Sequence, residues 1–472
     1  MSLITTLDHT IKELIQQTLE EAKQTNQSVI VSHIKEVDAI DPLHFLASSE
    51  ELFLGERFLW STPERDFTLA GVGNELILEN NHSTIERFSA IEKEWKRFKK
   101  RIINTNSKDK QDGTGPLLFG GFSFDPIKEK DPLWEAFSEA KFTLPTVMVT
   151  IINSKTYLTV NKLVTPHDNL LDCLKHFEQT YSQTTHHHLI DCEKVNEFST
   201  IEYKTSQWLK AVDKATNEIR LKEMDKVVLA REVHLKFAEK VNPYQVLNRL
   251  HKEQPTSFIF GFENGLQHFV GATPERLIKK QDNEVLSTCL AGSIKRGKTQ
   301  EQDIQLGEQL LKDAKNLIEH DIVVKMIKEA LTNCCYEVIS PKSPTLLKTK
   351  NIQHLYTPVK GYVQKGHSLL SIVENLHPTP ALGGFPKEKA IEKIRELEPM
   401  HRGWYAAPIG WLDAEDNGEF VVAIRSGLIE GHNVALFAGC GIVAESNPKS
   451  EYLETKIKLK PMMSALGGVD NE

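Results

Sequence analysis

"KVVLAR", residues 226–231, is the stretch on which the reading of the fold turns. Lys226 and Arg231 are ions at neutral pH, yet they bracket Val227, Val228, Leu229 and Ala230, a run with the apolar, β-branched texture of a strand. Side chains alternate along a strand, so Lys226 shares a face with Val228 and Ala230, and Arg231 with Val227 and Leu229. Taken alone, the run is explained most simply by two charges at strand ends, each reaching solvent. A strand that carries its lysine into a protected site would be a different element, and only the surrounding sequence can separate the two.

The surroundings are those of an ordinary globular chain: 472 residues, 40% hydrophobic and 26% charged. That length accommodates two or three domains, or one large domain with an elaborated sheet. The net charge of −8 offers no electrostatic footprint for nucleic acid or an anionic membrane. Residues 1–30 read as a polar amphipathic helix, not a secretory signal, and no apolar run is long enough to span a bilayer. Cysteines at 173, 192, 289, 334, 335 and 440 are too few and too irregular for a disulfide framework or a zinc site, which fits a reducing cytoplasm.

Along the chain, "TIKELIQQTLEEAKQ" (10–24) has helical spacing, "AIEKEWKRFKKRIINT" (90–105) forms a second, basic helix, and "TLPTVMVTIINSKTYLTVNKL" (143–163) reads as a hairpin turning at Asn153–Ser154. Gly113, Gly115, Gly120 and Gly121 lack the lysine and spacing of a phosphate loop and mark a tight turn beside a buried strand. His186, His187 and His188 lie in a polar linker. From about Ser199 strand-like runs alternate with well-defined helices to about 465. The expected organisation is therefore a less constrained part over 1–195, a chemistry-bearing region over 196–465 and a short tail over 466–472, without internal repeats.

Two helices in the second region hold acids in telling places. "DIQLGEQLLKDAKNLIEHDIVVKMIKEAL" (303–331) reads as one helix whose apolar face includes Leu310, Ala314, Ile318, Ile322 and Ile327, with Glu319 at its border. In "NPKSEYLETKIKLKP" (447–461) Asn447 is the N-cap, Pro448 the first helical residue and Pro461 the stop. Glu451, Glu454 and Lys458 fall on one side, a spacing that equally describes an ordinary surface ion pair. Three glycine-bearing segments read as loops: "CLAGSIKRG" (289–297), "HPTPALGGFP" (377–386) and "AGCGIVAES" (438–446). The last leads into the Asn447-capped helix, whose free backbone N–H groups favour an anion. Arg425, ending the strand run "EFVVAIR", can hold a carboxylate in a two-pronged contact. Together these point to a small polyanionic substrate beside a cation held by glutamates.

In this order "KVVLAR", "GATPERL" (271–277), "CLAGSIKRG", "KNLIEH" (315–320), "IQHLYTPVKG" (352–361), "HPTPALGGFP", "RGWYAAPIGW" (402–411), "VVAIRS" (421–426), "AGCGIVAESNP" and "EYLETKIK" resemble the chorismate-utilising enzyme family over about 260 residues. The resemblance implies an α/β (α+β) fold of large, mainly antiparallel sheets flanked by helices, with a Mg2+-dependent site between the sheets. It implies Glu319 and Glu454 as metal ligands and Glu451 close by through water. Gly292, Ser293, His354, Ala381, Tyr405, Arg425, Gly439, Gly441 and Lys458 would hold chorismate, the expected substrate. In the water-using members the lysine at 226 is the general base for attack at C2, and the glutamate at 275 the general acid for departure of the C4 hydroxyl. A free lysine titrates near ~10.4, so a base working near neutrality needs a depression of roughly 3 pH units, about 4 kcal/mol.

Ala291 stands where relatives with a covalent lysine carry their nucleophile, and the ammonia-using relatives generally lack a lysine at 226. Salicylate-forming relatives share the lysine but tend to have Thr where this chain has Ala381 and Glu where it has Asn316. The resemblance therefore implies release of isochorismate, with salicylate formation as the alternative. The long N-terminal part points to a menaquinone-branch rather than a siderophore-branch enzyme. A catalytically dead, chorismate-binding regulatory relative is the non-enzyme alternative. No obligatory glutamine amidotransferase is expected, and the chain is expected to be a monomer or a weak homodimer in the cytoplasm.

Overall fold

The computed structural model describes residues 9–82, 86–104, 111–183, 197–349 and 352–468. The histidine run at 186–188 and the expected boundary near 195 lie outside them. Among the described residues, thirteen strands form one sheet and ten another. Nearly every pairing is antiparallel; the exception is Val29–Val37 against Ile102–Asn104. The α/β architecture with large antiparallel sheets is thus as expected. The larger sheet includes Val29–Val37, Arg57–Ser61, Phe67–Val72, Val147–Ile152 and Lys155–Val164 beside Lys226–Phe237 and Asn433–Ile442, so strands from both ends of the chain share it.

Aromatic side chains fill the space between the sheets. Phe58 of the larger sheet stacks on Phe119 of the smaller with ring centroids 4.3 Å apart, and Phe67 and Trp411 pair in the same way at 5.3 Å. Burial of such large rings is the main apolar contribution to a core of this kind. The helices His9–Thr25, Pro243–Glu253 and Pro448–Ala465 pack on the larger sheet, and Arg87–Lys99 and Ala314–Thr332 on the smaller.

Two strand pairs run through both sheets. Gln267–Thr273 of the larger sheet continues as Arg276–Gln281 of the smaller, and Gly418–Val422 of the smaller returns as Ser426–Glu430 of the larger. The bends are bonded to each other: Val422 N–H donates to the Glu275 carbonyl at 3.0 Å and Ala272 N–H to the Arg425 carbonyl at 3.1 Å. Arg425 has φ +53°, a left-handed conformation that lets the chain turn sharply between sheets. Both residues therefore sit where the sheets part.

Several local expectations change. The run 303–331 is two helices, Gln300–Lys312 and Ala314–Thr332, because the Asp313 carboxylate accepts the Asn316 N–H at 2.8 Å and starts a new helix. The second helix buries His320, Val323, Ile327 and Leu331, leaving Ile318 and Ile322 exposed. "AGCGI" is no loop but the end of the strand Asn433–Ile442, paired with Val227–Arg231. "CLAGSIK" likewise ends the strand Glu284–Lys295, with a bulge between Leu290 and Ser293 in which Gly292 takes φ +82°. Pro461 does not stop its helix. The N–H it lacks would have reached Ile457, on a half-exposed side of the helix, and burial of Met462 and Ala465 carries the helix on until Gly467 at φ +93°.

Candidate functional site

The charges bracketing "KVVLAR" are not strand ends reaching solvent. The strand runs from Lys226 to Phe237, and Arg231 is fully buried, bonded to Glu202 at 2.7 Å and Thr455 at 2.8 Å and lying over the Tyr452 ring. Lys226, Val228 and Ala230, the opposite face, line a cavity of about 370 Å³. Every residue expected to act on substrate or metal borders that same cavity: Lys226, Glu275, Gly292, Ser293, Glu319, His354, Ala381, Tyr405, Arg425, Gly439, Gly441, Glu451, Glu454 and Lys458.

Lys226 is 14% exposed and its ammonium donates to Glu319 Oε1 at 2.5 Å. Gly441, on the neighbouring strand, makes room for it: a Cβ there would lie 2.8 Å from Lys226 Cε. Glu319 comes from the second turn of the helix capped by Asp313. The next residue, His320, is buried and fastens the bulge. Its Nδ1 donates to the Ala291 carbonyl at 2.9 Å, so the proton sits there and Nε2 accepts from the Thr357 hydroxyl at 2.7 Å.

Glu275 is buried at the bend between sheets. Burial pushes its carboxyl up to about 7, against the pull of the Arg425, Lys458 and Lys226 cations. Burial lowers the Arg425 guanidinium, which has no hydrogen-bond or ion-pair partner among the described residues. Desolvation in the cavity wall, with the Arg425 and Lys458 cations nearby, lowers half-buried His354 to about 4, so it is neutral at physiological pH. Tyr405 is pushed up to about 12 by burial and remains a phenol donor.

Opposite these, the Asn447-capped helix presents Glu451, Glu454 and Lys458. The Lys458 ammonium donates to Glu454 Oε1 at 2.6 Å and to the Gly439 carbonyl at 2.9 Å, and Ser446 donates to Glu451 at 2.7 Å. Burial, with Glu454 as an anionic neighbour, raises Glu451, an arrangement that a cation would relieve. Glu319, Glu451 and Glu454 offer only oxygen, the donor type a hard cation such as Mg2+ takes. No group of three His, Cys, Asp or Glu side chains is close enough to cage a metal among the described residues. Mg2+ commonly takes one or two carboxylates, with substrate oxygens and waters completing its shell, so the donor chemistry fits without such a cage.

Arg402 also borders the cavity, and sequence reasoning passed over it and its partner Glu398. Four residues apart in "ELEPMHRG", they look like an exposed ion pair; both are buried. Cys440 and Asn316 border the cavity as well.

Comparisons with known proteins address the chain as a whole. A family model described as chorismate binding enzyme matches residues 17–467. The isochorismate synthase MenF of Bacillus subtilis (strain 168) is 46% identical over 475 residues, covering 99% of each chain. The salicylate biosynthesis isochorismate synthase of Pseudomonas aeruginosa is 32% identical over 472 residues, 98% of this chain and 96% of that one. The solved structure of the menaquinone-specific isochorismate synthase MenF from Escherichia coli superposes with a TM-score of 0.78 at 23% identity, over 96% of this chain and all of that one, a likeness of fold. The chain is a member of the chorismate-binding enzyme family.

Proposed function

We propose that the protein converts chorismate to isochorismate, in the menaquinone branch, with Lys226 as general base and Glu275 as general acid. The observation that carries this is Glu275, a buried carboxyl that titrates at about 7 in the same cavity as Lys226. Near-full-length similarity to an isochorismate synthase supports the activity independently. Arg425, without a hydrogen-bond or ion-pair partner among the described residues, is suited to one substrate carboxylate, and Tyr405, Ser293 and the Gly292, Gly439 and Gly441 backbone to the remaining oxygens. Lys226 would take a proton from the water that bonds to C2. The ring double bonds then shift round, and the C4 hydroxyl leaves with the proton from Glu275. One water enters and one departs, so the isomerisation balances.

Mg2+, held by Glu319 and Glu454 with Glu451 beside them, would neutralise the ring carboxylate of the substrate. In that state Lys226 must exchange its contact with Glu319 for one with water. Ala381 and Asn316 on the wall support release of isochorismate before pyruvate is eliminated. No helix among the described residues is long and apolar enough to cross a membrane. A cytoplasmic enzyme acting without a glutamine amidotransferase, as monomer or weak homodimer, fits this reading. So does the division at about 195 with a tail from 466, because all residues bordering the cavity fall between 226 and 458.

The test is to incubate the protein with chorismate and Mg2+ and separate the products. The wild type should yield isochorismate. Lys226→Ala should yield none while still binding chorismate. Salicylate with pyruvate from the wild type would overturn the proposed product, and wild-type turnover by Lys226→Ala the base.

A further inference from the structure

The strand carrying Lys226 has an unusual edge. One side pairs continuously with Asn433–Ile442. On the other, the two-residue strand Gly384–Phe385 pairs with Lys226 and Val227, and Phe198–Glu202 pairs with Val233–Phe237. Past the Val228 N–H, which donates to the Gly383 carbonyl at 2.9 Å, no strand pairs with the Val228 carbonyl or with residues 229–230 on this side among the described residues. A buried strand edge without partners is costly, because its N–H and C=O groups have lost water.

Side chains fill the gap. Glu398 Oε1 accepts the Ala230 N–H at 2.6 Å, and Arg402 Nη2 donates to the Val228 carbonyl at 2.8 Å. Arg402 Nη1 donates to the Leu382 carbonyl at 2.9 Å, next to Ala381 on the cavity wall. The two side chains are joined through Arg402 Nε and Nη2, the guanidinium lies 4.0 Å from the Phe124 ring centroid, and both residues are buried. The Arg402 carbonyl also accepts the Tyr405 N–H at 2.9 Å. One ion pair thus ties the Lys226 strand, the Ala381–Leu382 wall and the Tyr405 turn together.

We infer that Glu398 and Arg402 are positioning residues for the reaction: a side-chain ladder in place of a missing strand, setting where Lys226 stands relative to the substrate wall. This rests on the reading of Lys226 as the base. A guanidinium is required because three of its nitrogens bond in different directions; a lysine ammonium, a point charge on a flexible stem, cannot span them. A displacement of about 1 Å at the base is enough to lower turnover roughly 10²-fold while leaving substrate affinity nearly intact.

The experiment measures kcat and KM for isochorismate formation per folded molecule, with melting temperature and folded fraction from circular dichroism. It compares wild type with Arg402→Lys and Glu398→Gln; the glutamine keeps an oxygen for Ala230 N–H but loses the charge that orients Arg402. Arg402→Lys should lose about 10²-fold in kcat and Glu398→Gln about 10-fold, with KM within about threefold of wild type in both. A lower melting temperature with unchanged kcat per folded molecule would make the pair purely structural and overturn the inference. A raised KM with unchanged kcat would do so too, assigning Arg402 to direct substrate contact. If Arg402→Lys does not fold, Glu398→Gln decides alone by the same criteria. A wild type that makes no isochorismate defeats the proposed activity and this inference with it; an active wild type with unaffected variants defeats the inference only.

Discussion

Glu275 carries a proton at a pH where an exposed glutamate has lost it, and the cause is burial at the bend between the two sheets. Its folded pKa is raised, so the stability its neutral form contributes is fully present below the ordinary glutamate range. That contribution is lost as pH rises through about 7. Glu275→Gln escapes the loss. Denaturant unfolding at pH 4 and pH 8 should show the variant gaining on wild type by on the order of 3 kcal/mol between the two. No differential shift would mean the carboxyl is not desolvated. In the proposed reaction the same proton leaves with the C4 hydroxyl, so turnover should decline as Glu275 ionises. Glu454→Gln tests the other side of the cavity. Removing one anionic oxygen should make activity far more dependent on added Mg2+, and an unchanged Mg2+ titration would remove Glu454 from the ligand set.

At the scale of elements, the site depends on what one strand omits. Gly441 faces Lys226 across the pairing of Val228 with Gly441, and only the absence of a side chain leaves space for the lysine stem. Gly441→Ala should fold, because the atom it meets is near the end of a flexible side chain, but Lys226 must swing aside. Stability within about 1 kcal/mol of wild type with turnover lowered at least about 10-fold is the expected result. Full activity would show that Lys226 has room to spare. The same strand shows why sequence reasoning misjudged "AGCGIVAES". Glycine pairs read as turns because glycine is permissive, whereas here Gly439 and Gly441 keep backbone pairing while clearing a face. Asp313 misled in the opposite sense: inside a helical run a capping aspartate resembles one more polar-face residue until the chain is seen to restart there.

For the molecule as a whole, the cavity belonged to what local sequence discloses and the sheets did not. Lys226, Glu275, Glu319, Arg425, Glu454 and Lys458 stand in short segments whose order resembles one enzyme family, although their spacing alone fits surface charges as well, and all reach one cavity. Strand order depends on pairings between residues far apart, such as Val227 with Ile442 or Phe260 with Trp60, and no spacing along the chain encodes them. The buried Glu398–Arg402 pair stayed hidden for a related reason: its spacing is that of a solvated pair, and only the packed sheet shows what covers it. If Glu275 and Lys226 act as the proposed acid and base from the two sheets, solvent itself should supply the new hydroxyl. Turnover of chorismate in 18O-enriched water, with the isochorismate examined by mass spectrometry, tests that most directly. One solvent oxygen in the product, at C2, is the expected result. Isochorismate without label, its hydroxyl moved within the molecule, would contradict it.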